Sequence, residues 1–343
     1  MKLGSIELPT DLLLAPLMDV TTPSFRQLIW DLGGVGLVVT PMVFVQQIAL
    51  APKTVLPHLE HIENQSPASV QIVASGRNVE HIKKAIDFLS SFKFDILDIN
   101  GGCPATHTMK SGAGGALLRD FNREGDISRF QKIIESAIKF SSRPVSVKTR
   151  LGYEKEDEIL EISKMIEKCG AEFLTIHGRT VKQKYHGEIN FDIIKQVKNQ
   201  VEIPIVGNGD VVDYDSYINM KERTGCDAVM IGRAVMSDPL IFDKIWKQQK
   251  SSKNDNEFPP FTERHSIEEI RQYLLKNNNF IESSSQFWNT DRFKLAEMRR
   301  LAIWFIKGIR GYKKVREKLS KFNDIHELKS YIFSKSFEED FIQ

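Results

Sequence analysis

Asp95-Ile96-Leu97-Asp98-Ile99-Asn100-Gly101-Gly102-Cys103-Pro104 decides how this chain reads. Its first half is a short, apolar, β-branched run, the pattern of a buried strand. Its second half is a Gly/Pro loop that carries a cysteine just past the strand's C-terminal end. In parallel α/β proteins that end is where ligands are held and chemistry is done. A cysteine in a turn is more often a small buried thiol, so Cys103 takes its meaning from the rest of the chain.

Residues 96–99 are one of eight such runs; the others are 12–15, 36–39, 69–73, 145–148, 173–176, 205–206 and 228–231. Between most of them the apolar spacing turns helical. Val79, Ile82, Ile86 and Leu89 recur at three or four residues within 78–89, and 127–140, 156–168 and 191–198 behave alike. Eight strand–helix units predict an α/β fold, a (β/α)8 TIM barrel, over residues 1–246. An open doubly wound sheet would carry G-x-G-x-x-G after its first strand. Here that strand runs into Ala15-Pro16-Leu17-Met18. Residues 247–261, polar and ending in Pro259-Pro260, predict a linker. Beyond it, 262–282, 291–309 and 312–322 have helical spacing, so 262–343 predicts a small C-terminal all-helical domain.

Hydrophobic content of 41% and charge of 27% over 343 residues suit a soluble globular protein. No apolar run approaches the roughly 18 residues of a membrane span. The first ten residues hold one Lys and no apolar core, which predicts no secretion signal. Three widely spaced cysteines cannot all pair, which predicts a reducing, cytoplasmic setting. No CxxC pair or His/Cys cluster points to a metal. The net charge of +2 names no partner, but its distribution does. From Arg292 to Lys321 eleven Lys/Arg face two Glu, a local +9 that leaves the remainder acidic. Such asymmetry exceeds what a solvated helix face needs.

Polar residues close successive strands: Gln71, Asn100 with Cys103, Lys148 with Arg150, His177 with Arg179, Asn208 with Asp210, and Gly232 with Arg233. One is ordinary, but a near-complete ring is what a barrel active site requires. Gly207-Asn208-Gly209-Asp210 and Gly232-Arg233-Ala234 follow the last two strands. That is the usual phosphate position of such barrels, and glycine lets backbone N–H groups approach an anion. Lys148 at a strand end must face an anion, a developing negative charge, or a carboxylate such as Asp98 or Asp210. A histidine alone is usually structural; beside Lys148, His177 becomes a second donor. Cys169 and Cys226 precede strands, on the opposite rim, and read as packing residues.

In order and spacing, N-x-G-C-P (100–104), K-x-R-x-G (148–152), H-G-R-T (177–180), Tyr185-His186-Gly187, G-N-G-D (207–210) and I-G-R-A (231–234) resemble the tRNA-dihydrouridine synthases. Ala296-Glu297-Met298-Arg299-Arg300 and Trp304-Phe305-Ile306-Lys307-Gly308 resemble that family's helical domain. The resemblance covers roughly residues 10 to 320. It implies an FMN enzyme, reduced by NADPH (or NADH), that converts uridines of tRNA to 5,6-dihydrouridine, with tRNA as partner, no membrane and no metal, acting as a monomer. Hydride from flavin N5 would reach uracil C6, and a proton would reach C5 from Cys103. An ordinary thiol titrates near ~8.5 and holds its proton at neutral pH. By the same resemblance Asn100 and Arg179 hold the uracil. Pro16, Leu17, Met18 and Gln71 hold the flavin ring, and Lys148 and His177 sit by its N1 and O2. Asn208, Gly209, Asp210, Gly232 and Arg233 hold the phosphate. The basic segment becomes the RNA footprint, through Arg292, Lys294, Arg299, Arg300, Lys307, Arg310, Lys313, Lys314 and Arg316. Trp304, Phe305 and Tyr312 among them read as core.

Two departures stand out. Met18-Asp19 replaces the family's usual Ala-Gly pair, and Pro41 precedes Met42 where an acid is common. Two other readings compete: an FMN barrel acting on a free pyrimidine, as dihydroorotate dehydrogenases do, and a flavin-containing RNA-binding protein without reductase activity. The first has no use for a basic appendage; the second has none for Cys103, Lys148 and His177 together.

Overall fold

The computed structural model describes residues 1–60, 65–251, 265–284 and 287–342. Eight parallel strands form a ring: β1 (Leu12–Leu14), β2 (Val38–Val39), β3 (Ala68–Val73), β4 (Ile96–Asn100), β5 (Val145–Arg150), β6 (Leu174–His177), β7 (Ile205–Asn208) and β8 (Ala228–Ile231). β8 pairs with β1, and a bridge between Leu13 and Leu37 joins β1 to β2. Two backbone bonds make that closure, Leu14 N–H to Leu37 O at 2.9 Å and Gly36 N–H to Leu12 O at 2.7 Å. Closure excludes the open-sheet alternative.

Alternation along each strand separates two cores. Outward residues such as Leu12, Val70, Leu97, Val147, Ile176 and Val229 pack on the surrounding helices. Inward residues at the N-terminal end, including Leu13, Leu37, Ile96, Phe173, Val206 and Ala228, form a second apolar cluster. A hairpin of Lys2–Leu3 and Ile6–Glu7 plugs it with Leu3 and Leu8. Both faces of each strand are therefore buried, which is why the strands read as nearly continuous apolar runs. Towards the C-terminal end the inward positions turn polar: Gln71, Asp98, Asn100, Ser146, Lys148, Thr175, His177 and Asn208.

The helix Val79–Leu89 is capped by Asn78, whose side chain accepts from the Glu80 and His81 amides. The helix after β8, Ile241–Ser251, runs into the span expected to be linker, because Ile241, Phe242 and Ile245 turn inward. Residues 252–261 of that span, and 262–264 of the expected helical domain, lie outside the described residues. The next helix is Ile267–Ser283, set by a Ser266–Glu269 capping box. Helices Asp291–Phe305, Tyr312–Leu319, Ile325–Ile332 and Lys335–Ile342 follow. Ile270, Leu274, Met298, Leu301 and Phe305 share one apolar cluster with the barrel's outer layer.

Candidate active site

Strand register assembles the site. Parallel pairing sets Gln71 beside Asp98, Asn100 beside Lys148, Lys148 beside Thr175, and His177 beside Asn208. Gln71, Asn100, Lys148, His177 and Asn208 floor a cleft of about 1010 Å³ at the C-terminal end of the barrel, with Asp98 and Thr175 outside its lining. Pro16, Leu17, Met18, Cys103, Arg150, Gly209, Asp210, Gly232 and Arg233 wall it.

The cysteine loop is pinned on every side. The Asn100 Oδ1 accepts from the Cys103 amide at 3.0 Å and the Gly102 amide at 3.2 Å. The Cys103 carbonyl accepts from the Gly115 amide at 3.0 Å. Gly101 is required: a Cβ there would lie 2.2 Å from the Phe130 ring. Cys103 itself is half-buried. Beneath it, Asp98 is buried and accepts from Gln71 Nε2 and Ser146 Oγ, both at 2.6 Å. Burial pushes its carboxyl up, against those two bonds and the Lys148 charge. Gln71 Oε1 in turn accepts from Asn100 Nδ2 at 2.9 Å. A chain of bonds thus runs from a buried acid to the cysteine amide. The Asn100 amide is used on both ends inside the protein, so its first task here is to shape the loop.

Lys148 donates to Asn208 Oδ1 at 3.0 Å, not to Asp98 or Asp210, and Asn208 Nδ2 donates to the Met230 carbonyl at 2.8 Å. Desolvation, reinforced by Arg150, pushes the Lys148 ammonium down to about 8. His177 is driven far down by burial and then by Arg150, Lys148, Arg179 and Arg233, so it is neutral. His177 Nε2 and Thr175 Oγ1 are buried with no hydrogen-bond partner. Unpaired polar atoms at such a depth cost of the order of 1–3 kcal/mol each. Of the two, His177 lines the cleft beside Lys148, so its unpaired nitrogen suits the polar edge of a ligand there, whereas Thr175 does not line the cleft.

Asp210 takes a left-handed backbone (φ 50°) and sits between two arginines. It accepts from Arg179 Nη1 at 3.0 Å and Arg233 Nη2 at 2.7 Å. The hydrogen bond from Arg179 leads in holding its carboxyl below the usual range. Arg179 is buried behind it, bonded also to the Gly187 carbonyl, and does not line the cleft. Arg233 lies 4.7 Å and Arg150 5.7 Å from the Tyr185 ring centre. Gly209 (φ 139°) leaves no room for a side chain, since a Cβ would meet Ile189 at 2.3 Å. In the first loop Met18 is exposed at the cleft, and Asp19, where the resemblance leads one to expect glycine, takes a positive φ of 58°.

The helical appendage reaches the cleft. Trp304 and Lys307 line it, so Trp304 is not simply core; Phe305 beside it is. Arg300 lies 5.1 Å from the Trp304 ring centre and ion-pairs with buried Glu297, which accepts from Thr22 Oγ1 at 3.0 Å. Arg292, Lys307, Arg310, Lys313, Lys314 and Arg316 are exposed, Lys314 with Asp340 3.3 Å away. Lys294, Arg299 and Arg300 are half-buried, and Arg299 donates to the Phe322 carbonyl at 3.1 Å. Cys226 is buried and Cys169 half-buried, and desolvation raises both thiols, Cys169 to about 11. Among the described residues no group of His, Cys, Asp or Glu is arranged for a metal, and no helix is long and apolar enough to cross a membrane.

Residue parity would have found Thr175, which stands two positions before His177 on the same inward face. Nothing in the sequence marks Trp304 as facing the cleft.

A closed (β/α)8 barrel whose C-terminal cleft combines Lys148 and Arg150, an arginine-bearing loop and a pinned cysteine has the form of a barrel enzyme. The fold is shared with morphinone reductase (TM-score 0.53, 11% identity, covering 73% of this chain and 89% of that one) and with histamine dehydrogenase from Rhizobium sp. 4-9 (TM-score 0.59, 12% identity, 81% and 50%). Residues 13–341 match the family model "Dihydrouridine synthase (Dus)", and the chain belongs to that family. It is 30% identical to tRNA-dihydrouridine synthase B of Pasteurella multocida over 94% of this chain and 92% of the relative. It is 34% identical to the protein of that name from Proteus vulgaris over 81% of each.

Proposed function

We propose that this protein uses FMN, reduced by NADPH or NADH, to convert particular uridines of tRNA to 5,6-dihydrouridine. The observation that carries the reading is the pairing of Cys103, pinned at the cleft wall, with a floor of unpartnered His177 and desolvated Lys148. The flavin would rest on Pro16, Leu17, Met18 and Gln71, with its polar edge at Lys148 and His177 and its phosphate at the Gly209 and Arg233 loops. When bound and reduced, it supplies a hydride. Lys148 and neutral His177 hold negative charge on the ligand. Asn100 fixes the loop so that the Cys103 Sγ faces the cleft, and the thiol delivers a proton to uracil C5. The exposed basic residues of the appendage bind tRNA phosphates. Mapping dihydrouridine in tRNA from cells lacking this protein tests the proposal. At least one position must revert to uridine, and an unchanged map would refute it.

Two effects on flavin binding follow. Arg233→Ala should weaken FMN by ~10–100-fold, the value of a charge-assisted hydrogen bond, while riboflavin, which has no phosphate, is bound as before. Equal losses for both flavins, read by fluorescence quenching, would remove Arg233 from the phosphate. Lys148 is charged below about pH 8 in the free protein and neutral above it. Flavin affinity should therefore fall as pH rises from 7 to 9, and Lys148→Met should flatten that dependence. A native profile in the methionine variant would sever the link.

A further inference from the structure

We propose that Thr108 is a positioning residue for the acid: its hydroxyl holds the sulfur of Cys103 and stabilises the thiolate left when the proton departs. The inference rests on Cys103 being the proton donor.

Thr108 lies on the short helix Thr106–Lys110 and is 1% exposed. The Cys103 thiol donates to its Oγ1 at 3.5 Å, and among the described residues this thiol is the hydroxyl's only hydrogen-bond partner. The surrounding turn forces the two together. The Thr108 carbonyl accepts from the Ala113 amide at 3.2 Å and from Ser111 Oγ at 2.8 Å. Gly114 (φ 58°) passes so close that a Cβ there would lie 2.8 Å from Thr108 Cγ2 and 3.1 Å from Cys103 Cβ. Glycine is what lets the threonine and the cysteine share this space.

The chemistry needs a group that works in both protonation states. At rest S–H donates and the hydroxyl oxygen accepts. In the reaction the S–H bond breaks, its electron pair stays on sulfur, and the proton forms the new C–H bond at C5. The hydroxyl then rotates and donates O–H to the thiolate; a hydroxyl can serve in both directions. A hydrogen bond to the charged form favours that form, so it makes the thiol a stronger acid. Water returns the proton to sulfur afterwards, and Thr108 stays neutral throughout.

The test compares Thr108→Val, which keeps the shape and removes the hydroxyl, with Thr108→Ser, which keeps the hydroxyl. Iodoacetamide capture of Cys103 is followed from pH 6 to 10 by mass spectrometry of the Cys103 peptide, in the protein as purified. Valine should shift the capture profile up by about one pH unit, so capture at pH 7 slows ~10-fold, with a similar fall in uridine reduction. Serine should stay within about twofold of the native protein in both. A native capture profile in the valine variant overturns the proposal, even if its turnover falls, because Thr108 would then only pack. So does a loss that serine fails to rescue. If Cys103→Ala retained turnover, the acid assignment itself would fail, whereas the capture profile reads the Thr108–Cys103 contact without using turnover.

Discussion

Cys103→Ala is expected to lower uridine reduction by roughly 10²–10⁴-fold, the usual worth of a general acid. The flavin spectrum, NADPH oxidation and tRNA affinity should remain near native. The separation follows from the geometry. The cysteine loop is held through its backbone, by Asn100 at the Cys103 amide and Gly115 at its carbonyl, so losing the sulfur leaves the loop in place. The polar side chains proposed to meet the flavin, Lys148, His177, Asn208 and Arg233, come from β5, β6, β7 and the loop after β8, and none of them uses the thiol as a support. Single-turnover assays with pre-reduced enzyme read the step directly. Turnover within about tenfold of native would show that another group protonates C5. Cys169 and Cys226, whose thiols are desolvated away from the cleft, serve as controls.

Reversing charge on the appendage should have the second large effect. Arg292, Arg310, Lys313 and Arg316 are exposed on its surface. Removing one phosphate-binding cation reduces the slope of log K against log salt by roughly 0.7–0.9. Changing all four to glutamate should weaken tRNA binding by ~10²–10³-fold at moderate salt and flatten its salt dependence. FMN content and NADPH oxidation should survive. On the proposed reaction a uridine would have to leave its stack to reach Cys103, at a cost of a few kcal/mol, and remote phosphate contacts would offset that cost. Surface substitution is a cleaner test than deleting the helices, since Met298, Leu301 and Phe305 share the apolar layer around the barrel. If the quadruple variant bound tRNA within about threefold of native, the RNA face would lie elsewhere.

What the sequence made legible follows from burial. Barrel strands lie between two apolar layers, so even the four-residue Ala228–Ile231 stands out. The glycine and cysteine loops were legible because close backbone approach needs particular residues. Pairing across the chain was not. Arg179 reads as a uracil-binding residue and Arg300 as part of the RNA footprint, yet each closes on a carboxylate that folding brings near, Asp210 and Glu297. Asp98 reads as a candidate partner of Lys148, yet its hydrogen bonds go to Gln71 and Ser146, which adjacent strands bring into register. The end of the last barrel helix was masked by its polar sequence, since three inward apolar residues are enough to carry it to Ser251.

Thr22, Glu297, Arg300 and Trp304 form one unbroken contact from the loop after β1 to the wall of the cleft. The span between the basic helices and the thiol is thereby set when the chain folds, before any RNA arrives. If those helices anchor tRNA and Cys103 delivers the proton, as proposed, this contact works as a gauge: the base lying one fixed span from the anchored phosphates would be the one that reaches the sulfur.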